Sequence, residues 1–299
     1  RHHDIAKMIG NTKVFTSEQG IRMEDQTHEE YLARRTFQEI DGTGHRSSRM
    51  KVAKAFSGPV IIEFEEKIRS LCSEILDNTL PMIDFDATKH IARELPMRML
   101  GRILGLPEED LPWLVEKGDA LIANTDPDFT DHVLDKLDTN EFRLMPHNSP
   151  AGAELYEYAE TLMEKRLKTD NTNSILHMVM QPAVDGSKLS ETEFKNFFCQ
   201  LVAAGNDTTR YSIAAGIHAL CHQPELLTQM KNEPTVWETA PDEIVRWASP
   251  VNYFRRTATK DFSIHNKIIK KGDKVLYWFA SGNRDSNEFT NPFKLDLYR

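Results

Sequence analysis

Cysteine is scarce in this chain: Cys72, Cys199 and Cys221 stand among 299 residues without CxxC spacing. Their scatter argues against a disulfide framework, and each lies in an apolar helical context, so all three are expected to be reduced core residues of a cytoplasmic protein. No apolar run reaches the roughly 18 residues that a membrane helix needs, so no membrane span is expected. The first segment, RHHDIAKMIG, lacks the hydrophobic centre of a signal peptide. Positive charge is also in deficit, with 37 Lys and Arg against 46 Asp and Glu and a formal net charge of −9. No basic stripe is there to meet phosphates, which excludes nucleic acid as an expected partner. GxGxxG, P-loop and GxSxG patterns are missing, so dinucleotide, nucleoside triphosphate and serine-hydrolase readings lack their carriers. An acidic body remains compatible with small apolar substrates.

What the chain does have is an organising stretch, Ser190 to Gln223. Ser190 with Glu193 three residues on predicts a capping box. Phe194, Phe197, Phe198, Leu201 and Val202 recur at helical spacing, and Pro224 ends the run. About 30 residues at about 1.5 Å each make a helix of roughly 45 Å. Its centre, Ala204-Gly205-Asn206-Asp207-Thr208-Thr209, is a poor helix, since Gly alone costs about 1 kcal/mol against Ala. Gly205 would let a flat or bulky group approach the backbone, and Thr hydroxyls can bond back to carbonyls one turn earlier and open a groove. A surface helix with a weak turn, or two helices meeting there, would also account for the pattern. The apolar stretches on both sides favour a buried helix, in which an acid followed by an alcohol is the kind of local inconsistency that marks function.

Residues 1–40 are polar and mixed, with short apolar elements. After the turn cluster Asp41-Gly42-Thr43-Gly44, His45 and Arg49 lie one helical turn apart, either a solvated basic face or a pair of donors aimed at an anion. From Pro59 a helical stripe of Ile61, Phe64, Ile68, Leu71, Ile75 and Leu76 is expected in the core. Pro96, Pro107 and Pro112 break the next stretch into two or three helices. Residues 126–150 read as a loosely structured connection, and a further helix runs from Ala151 to about Lys168. Glu243 and Arg246, at i and i+3 and crowded by Ile244, Val245 and Trp247, predict a buried bidentate pair. From Val251 the pattern turns β-branched and aromatic, with turn signals at His265-Asn266 and Lys271-Gly272-Asp273, and predicts a small antiparallel sheet followed by an irregular end. His218 and His222 have the spacing of helical metal ligands, but no Glu stands between them as in the HExxH motif. No repeat or Gly/Ser-rich linker divides the chain, so residues 1–299 are expected to form a single domain.

Taken in order, HRSSR, AAGNDTTR, EIVR, RRTATKD and NRD resemble the bacterial soluble cytochrome P-450 family of haem-thiolate monooxygenases, over nearly the whole chain. VFTS and ELPMRMLGRILGLPEED resemble further segments of that family. The resemblance implies a mainly α fold with a small β region, the cytochrome P-450 fold, incomplete at both ends. It makes Asp207 and Thr208 the acid and alcohol of the oxygen-activation groove, with Ala204 and Gly205 against the haem. His45, Arg49 and Arg256 would meet the haem propionates, where charge-assisted donors fit two carboxylates. Glu243 and Arg246 would be the structural pair behind the haem. Val202, Ala203, Val251 and Phe254 would line the substrate pocket, and none offers a charge to an ionic substrate. Iron would activate dioxygen once two electrons had arrived, and the acid–alcohol pair would help pass protons. Since no flavin or nicotinamide motif occurs, the electrons would come from NAD(P)H through a ferredoxin-type redox partner. FRRTATKD and AGNDTTR are most similar to the branch that hydroxylates sterols, terpenoids and alkyl chains, so hydroxylation of a lipophilic small molecule such as a steroid is implied.

Two departures qualify the likeness. Gly42-Thr43-Gly44 stands where the family carries prolines before the His. The Gly-rich loop bearing the iron-ligating cysteine would follow Arg299, since none of the three cysteines lies in such a loop. No metal ligand is therefore expected within residues 1–299, and these residues by themselves are expected to be inactive. The alternative is a non-catalytic helical protein that binds a small molecule on the same scaffold.

Overall fold

The helix expected at the centre of the chain is one uninterrupted element of 32 residues, Glu191–His222. Its start is the reciprocal box: the Glu193 amide donates to Ser190 Oγ at 3.2 Å and the Ser190 amide to Glu193 Oε2 at 2.8 Å. The computed structural model describes residues 1–124, 126–128, 140–166, 174–183 and 185–299. Its contacts divide into two compact units, residues 26–207 and residues 1–25 with 208–299, and the boundary falls within this helix.

The unit of residues 26–207 is helical. Its main helices are Gly42–Ala53, Glu65–Thr79, Glu94–Leu104, Leu111–Ile122, Pro150–Arg166 and the first half of the long helix. Pro96, Pro112 and Pro150 sit in first turns, where a missing N–H breaks no intrahelical bond. Gly105 closes Glu94–Leu104 in the left-handed region at φ 72°, and the Leu106 amide donates back to the Gly101 carbonyl at 2.9 Å. The core gathers Leu71, Met97, Leu104, Leu114, Leu155, Phe194, Phe198 and Val202.

The expected stripe after Pro59 is only half core. Phe64, Leu71 and Ile75 are buried, but Ile61, Ile68 and Leu76 are exposed. Ile61 belongs to a separate short helix, Gly58–Ile62, and Ile68 and Leu76 flank the buried seam. The cysteines differ likewise: Cys199 is buried, Cys72 half-buried, and Cys221 exposed rather than in the core. Of the connection expected over 126–150, residues 129–139 lie outside the described residues, and 140–148 form short 3₁₀ turns. The helix expected to reach Lys168 is described as far as Arg166.

The unit of residues 1–25 and 208–299 carries the β structure. Strands β1 (Phe15–Thr16), β2 (Tyr253–Ala258) and β5 (Lys274–Trp278) form an antiparallel sheet in the order β1-β2-β5, with Phe15 opposite Ala258 and Phe254 opposite Tyr277. β3 (Phe262–Ile264) and β4 (Lys267–Ile269) form a hairpin whose turn residues, His265 and Asn266, are both left-handed at φ 47° and 60°. Gly272 turns the chain into β5 at φ 90°. The helices are His2–Ile9, the second half of the long helix, Pro224–Asn232, Ala240–Ala248 and Phe279–Gly282. Among the described residues no helix is long and apolar enough to cross a membrane.

Candidate active site

The weak centre of the long helix is held in place by packing on one side and left open on the other. Phe198, Val202 and Asn206, spaced four apart, are wholly buried. Ala204 is exposed and Asp207 and Thr208 are half-buried, at i, i+3 and i+4 on another face. At Gly205 a Cβ would stand 3.2 Å from Leu100 Cδ2, so the glycine serves a helix crossing that the sequence reading did not include. Ser212 Oγ donates to the Thr208 carbonyl at 2.9 Å, the back-bond of a hydroxyl one turn on. Val202, expected to line a pocket, is instead a core residue with no exposed surface, and Ala203 is almost as deeply buried.

A polar contact missed in the sequence holds the same turn. Asn206 Nδ2 donates to Asp119 Oδ1 at 2.9 Å, and Arg93 grips Asp119 Oδ2 from Nε at 2.9 Å and Nη2 at 2.8 Å. The available signal was a carboxylate on the buried face of LPWLVEKGDALI, beside Leu111, Leu114, Val115 and Gly118. Arg93 also lines an open cavity of about 430 Å³ with Glu94, Arg98 and Glu108, which contains none of the expected site residues.

In the same unit His45 is half-buried and Arg49, one turn on, is exposed. The His45 Nδ1–H donates to the Phe37 carbonyl at 2.6 Å, and the ring meets Phe37 edge-on at 5.9 Å. In the imidazolium form, Nε2 is then the ring atom left to donate to a carboxylate. Gly42, standing where a proline was expected, opens the helix at φ 59°, a left-handed conformation that a proline ring cannot reach.

In the other unit Arg256 on β2 is half-buried and donates from Nη1 to the Arg255 carbonyl at 2.8 Å. Val251 and Phe254 are half-buried. Arg255, missed in the sequence, is 2% exposed and donates to the carbonyls of Gln19 and Glu24 at 2.7 and 2.9 Å and to Asp25 Oδ1 at 3.2 Å. It ties residues 19–25 to the sheet.

Glu243 and Arg246 form the predicted bidentate pair, with Nε 2.6 Å from Oε2 and Nη2 2.8 Å from Oε1. Val245 is exposed and does not shelter them, contrary to the expected crowding. The shelter is the segment 283–296, whose Asn283 and Pro292 carbonyls accept from Arg246 Nη1 and whose Asp296 amide donates to Glu243 Oε1 at 2.9 Å. Burial pushes the Glu243 carboxyl up, but the bonds from Arg246, the Asp296 amide and Arg299 outweigh it and hold the group below the usual carboxylate range. Burial pushes the Cys199 thiol up to about 12, so it stays protonated at neutral pH.

Residues 2–299 match the model of the family described as cytochrome P-450. The whole chain is 30% identical over 305 residues to a methyl-branched lipid omega-hydroxylase of Mycobacterium tuberculosis, covering 68% of that protein. It is 30% identical over 304 residues to a steroid C26-monooxygenase of Mycolicibacterium smegmatis, covering 67% of it. A Mycobacterium marinum cytochrome P-450 solved in complex with pseudoionone superposes with a TM-score of 0.86 at 31% identity, over the whole chain and 70% of that structure.

Proposed function

The chain belongs to the cytochrome P-450 family, and from that premise we propose that the full-length protein is a haem-dependent monooxygenase that inserts one oxygen atom of dioxygen into a C–H bond of a sterol, terpenoid or alkyl chain. The observation that carries this reading is the stripe of exposed Ala204 and half-buried Asp207 and Thr208 on a helix whose other face is core. A carboxylate and an alcohol in successive positions can hold and pass a proton at one place, the carboxylate accepting it at an Oδ and the alcohol orienting it.

Haem, when bound, supplies the dioxygen activation itself. The donor set fits such a group. His45, donating from Nε2 as imidazolium, and Arg49 in one unit, and Arg256 in the other, each carry the donor chemistry that suits a carboxylate such as a propionate. The iron ligand is assigned to none of Cys72, Cys199 and Cys221, which lie on helices. Electrons reach the enzyme from NAD(P)H through a ferredoxin-type partner, a reading supported by the lack of flavin and nicotinamide motifs.

The substrate class rests on two supports. Ala204, Val251 and Phe254 present no charge, and the relatives named above act on a methyl-branched lipid and a steroid. Titrating the haem-loaded protein with a sterol, a branched fatty acid and a small terpene, and following the haem absorbance, tests it. The reading predicts a saturable shift with at least one of them. A response confined to small charged metabolites overturns it.

A further inference from the structure

We propose that Asp119 is a positioning residue for the turn that bears Asp207 and Thr208: clamped by Arg93, its carboxylate fixes the Asn206 amide and, through it, the helix backbone at the acid–alcohol pair. The inference rests on the reading of that turn as the site of oxygen chemistry.

Three observations within the unit of residues 26–207 carry it. First, the contact is buried, with Asp119 4% exposed and Asn206 wholly enclosed, so the bond between them at 2.9 Å is little screened by water. Second, the two contacts are made at different oxygens: both Arg93 nitrogens meet Oδ2, and Asn206 Nδ2 donates to Oδ1. Third, the neighbouring helix approaches the amide closely. A Cβ built on Gly118 would stand 3.1 Å from Asn206 Nδ2, 3.2 Å from Met97 Cε and 3.4 Å from Val202 Cγ1, so the helix Leu111–Ile122 closes tightly over it.

Asn206 Oδ1 has no hydrogen-bond partner among the described residues. An apolar side chain would fill the core without that unsatisfied acceptor, so what the amide contributes is the bond to Asp119. The turn it anchors is the weakest of the helix, with Gly205, Thr208 and Thr209 all poor helix formers. Locking residue 206 locks the rotation of residues 207 and 208 about the helix axis, since successive side chains are set by the backbone that precedes them.

The test compares Asp119→Asn, Asn206→Leu and the exchanged pair Asp119→Asn with Asn206→Asp. Amide hydrogen exchange is read along the long helix in the full chain. In the haem-loaded protein the share of reductant released as hydrogen peroxide is measured, with kcat and KM. The proposal predicts exchange of amides 204–208 about tenfold faster in either single variant, with amides 194–199 and 212–220 unchanged. It also predicts a raised peroxide share, a lower kcat at unchanged KM, and partial recovery of all three in the exchanged pair. Uniformly faster exchange along the helix, or no change at 204–208, overturns it, as does an exchanged pair no better than the single variants. If Asp119→Asn does not fold, Asn206→Leu, which buries no new polar atom, carries the same comparison. A full-length, haem-loaded parent protein that forms no product refutes the monooxygenase reading, while the exchange profile still decides the positioning role.

Discussion

Arg246 Nε stands 2.6 Å from Glu243 Oε2 in a pair whose two members are both buried. Removing Arg246 strips the buried Glu243 of its bidentate partner and leaves it only the Asp296 amide at 2.9 Å and Arg299 at 3.1 Å. Arg246→Ala is therefore expected to cost about 3–5 kcal/mol of stability, to be measured by urea unfolding. Replacing both residues by apolar ones of similar size is expected to cost less than the single change, because no charge is then stranded. A double variant as unstable as Arg246→Ala would contradict this.

The same pair sets a pH dependence. The Glu243 carboxyl is held low in the folded chain, so as pH falls the unfolded chain takes up its proton first. The contribution is fully present above the unfolded value of about 4.3 and is lost as pH falls through the lower folded value. Unfolding free energy measured between neutrality and pH 3 is expected to fall in the acid limb, and to fall less steeply in Glu243→Gln. Equal acid slopes would contradict the assignment.

Arg255 holds the Gln19 and Glu24 carbonyls and Asp25 from β2. Charged hydrogen bonds contribute about 1.5–3 kcal/mol each, so Arg255→Ala is expected to loosen residues 17–25. Limited proteolysis should then cut this segment ahead of the rest of the chain. Unchanged cleavage would show that the strand pairing of Phe15 and Thr16 suffices without it.

Thr208→Ala keeps the helix and removes the alcohol. Product formation is expected to fall on the order of 100-fold while NAD(P)H consumption continues and hydrogen peroxide accumulates. Unchanged coupling of reductant to product would remove Thr208 from the proton path.

What was legible in the sequence was local. The Ser190–Glu193 box, the apolar repeat that follows it, the His265-Asn266 turn and the i,i+3 pair of Glu243 and Arg246 are each written within a few residues. What was not legible joins distant parts of the chain. Asn206 and Asp119 are 87 residues apart, and Arg255 meets Gln19 across 236. No local pattern marks such pairs, because a buried Asn or Arg is distinguished only by the partner that the fold brings to it. Apolar periodicity misled in the other direction at Ile61, Ile68 and Leu76, since a helix can carry more apolar residues than its buried seam holds.

Monooxygenation is tested most directly by the fate of dioxygen. The full-length, haem-loaded protein is incubated with NAD(P)H, a ferredoxin and its reductase, and a branched fatty acid or sterol that shifts its spectrum, under isotopically heavy dioxygen. Mass spectrometry of the product is expected to show one heavy oxygen atom in a new hydroxyl group, and none when the label is supplied in water. A product without the label, or tight binding of the lipid with no oxidation under full reducing conditions, would contradict it.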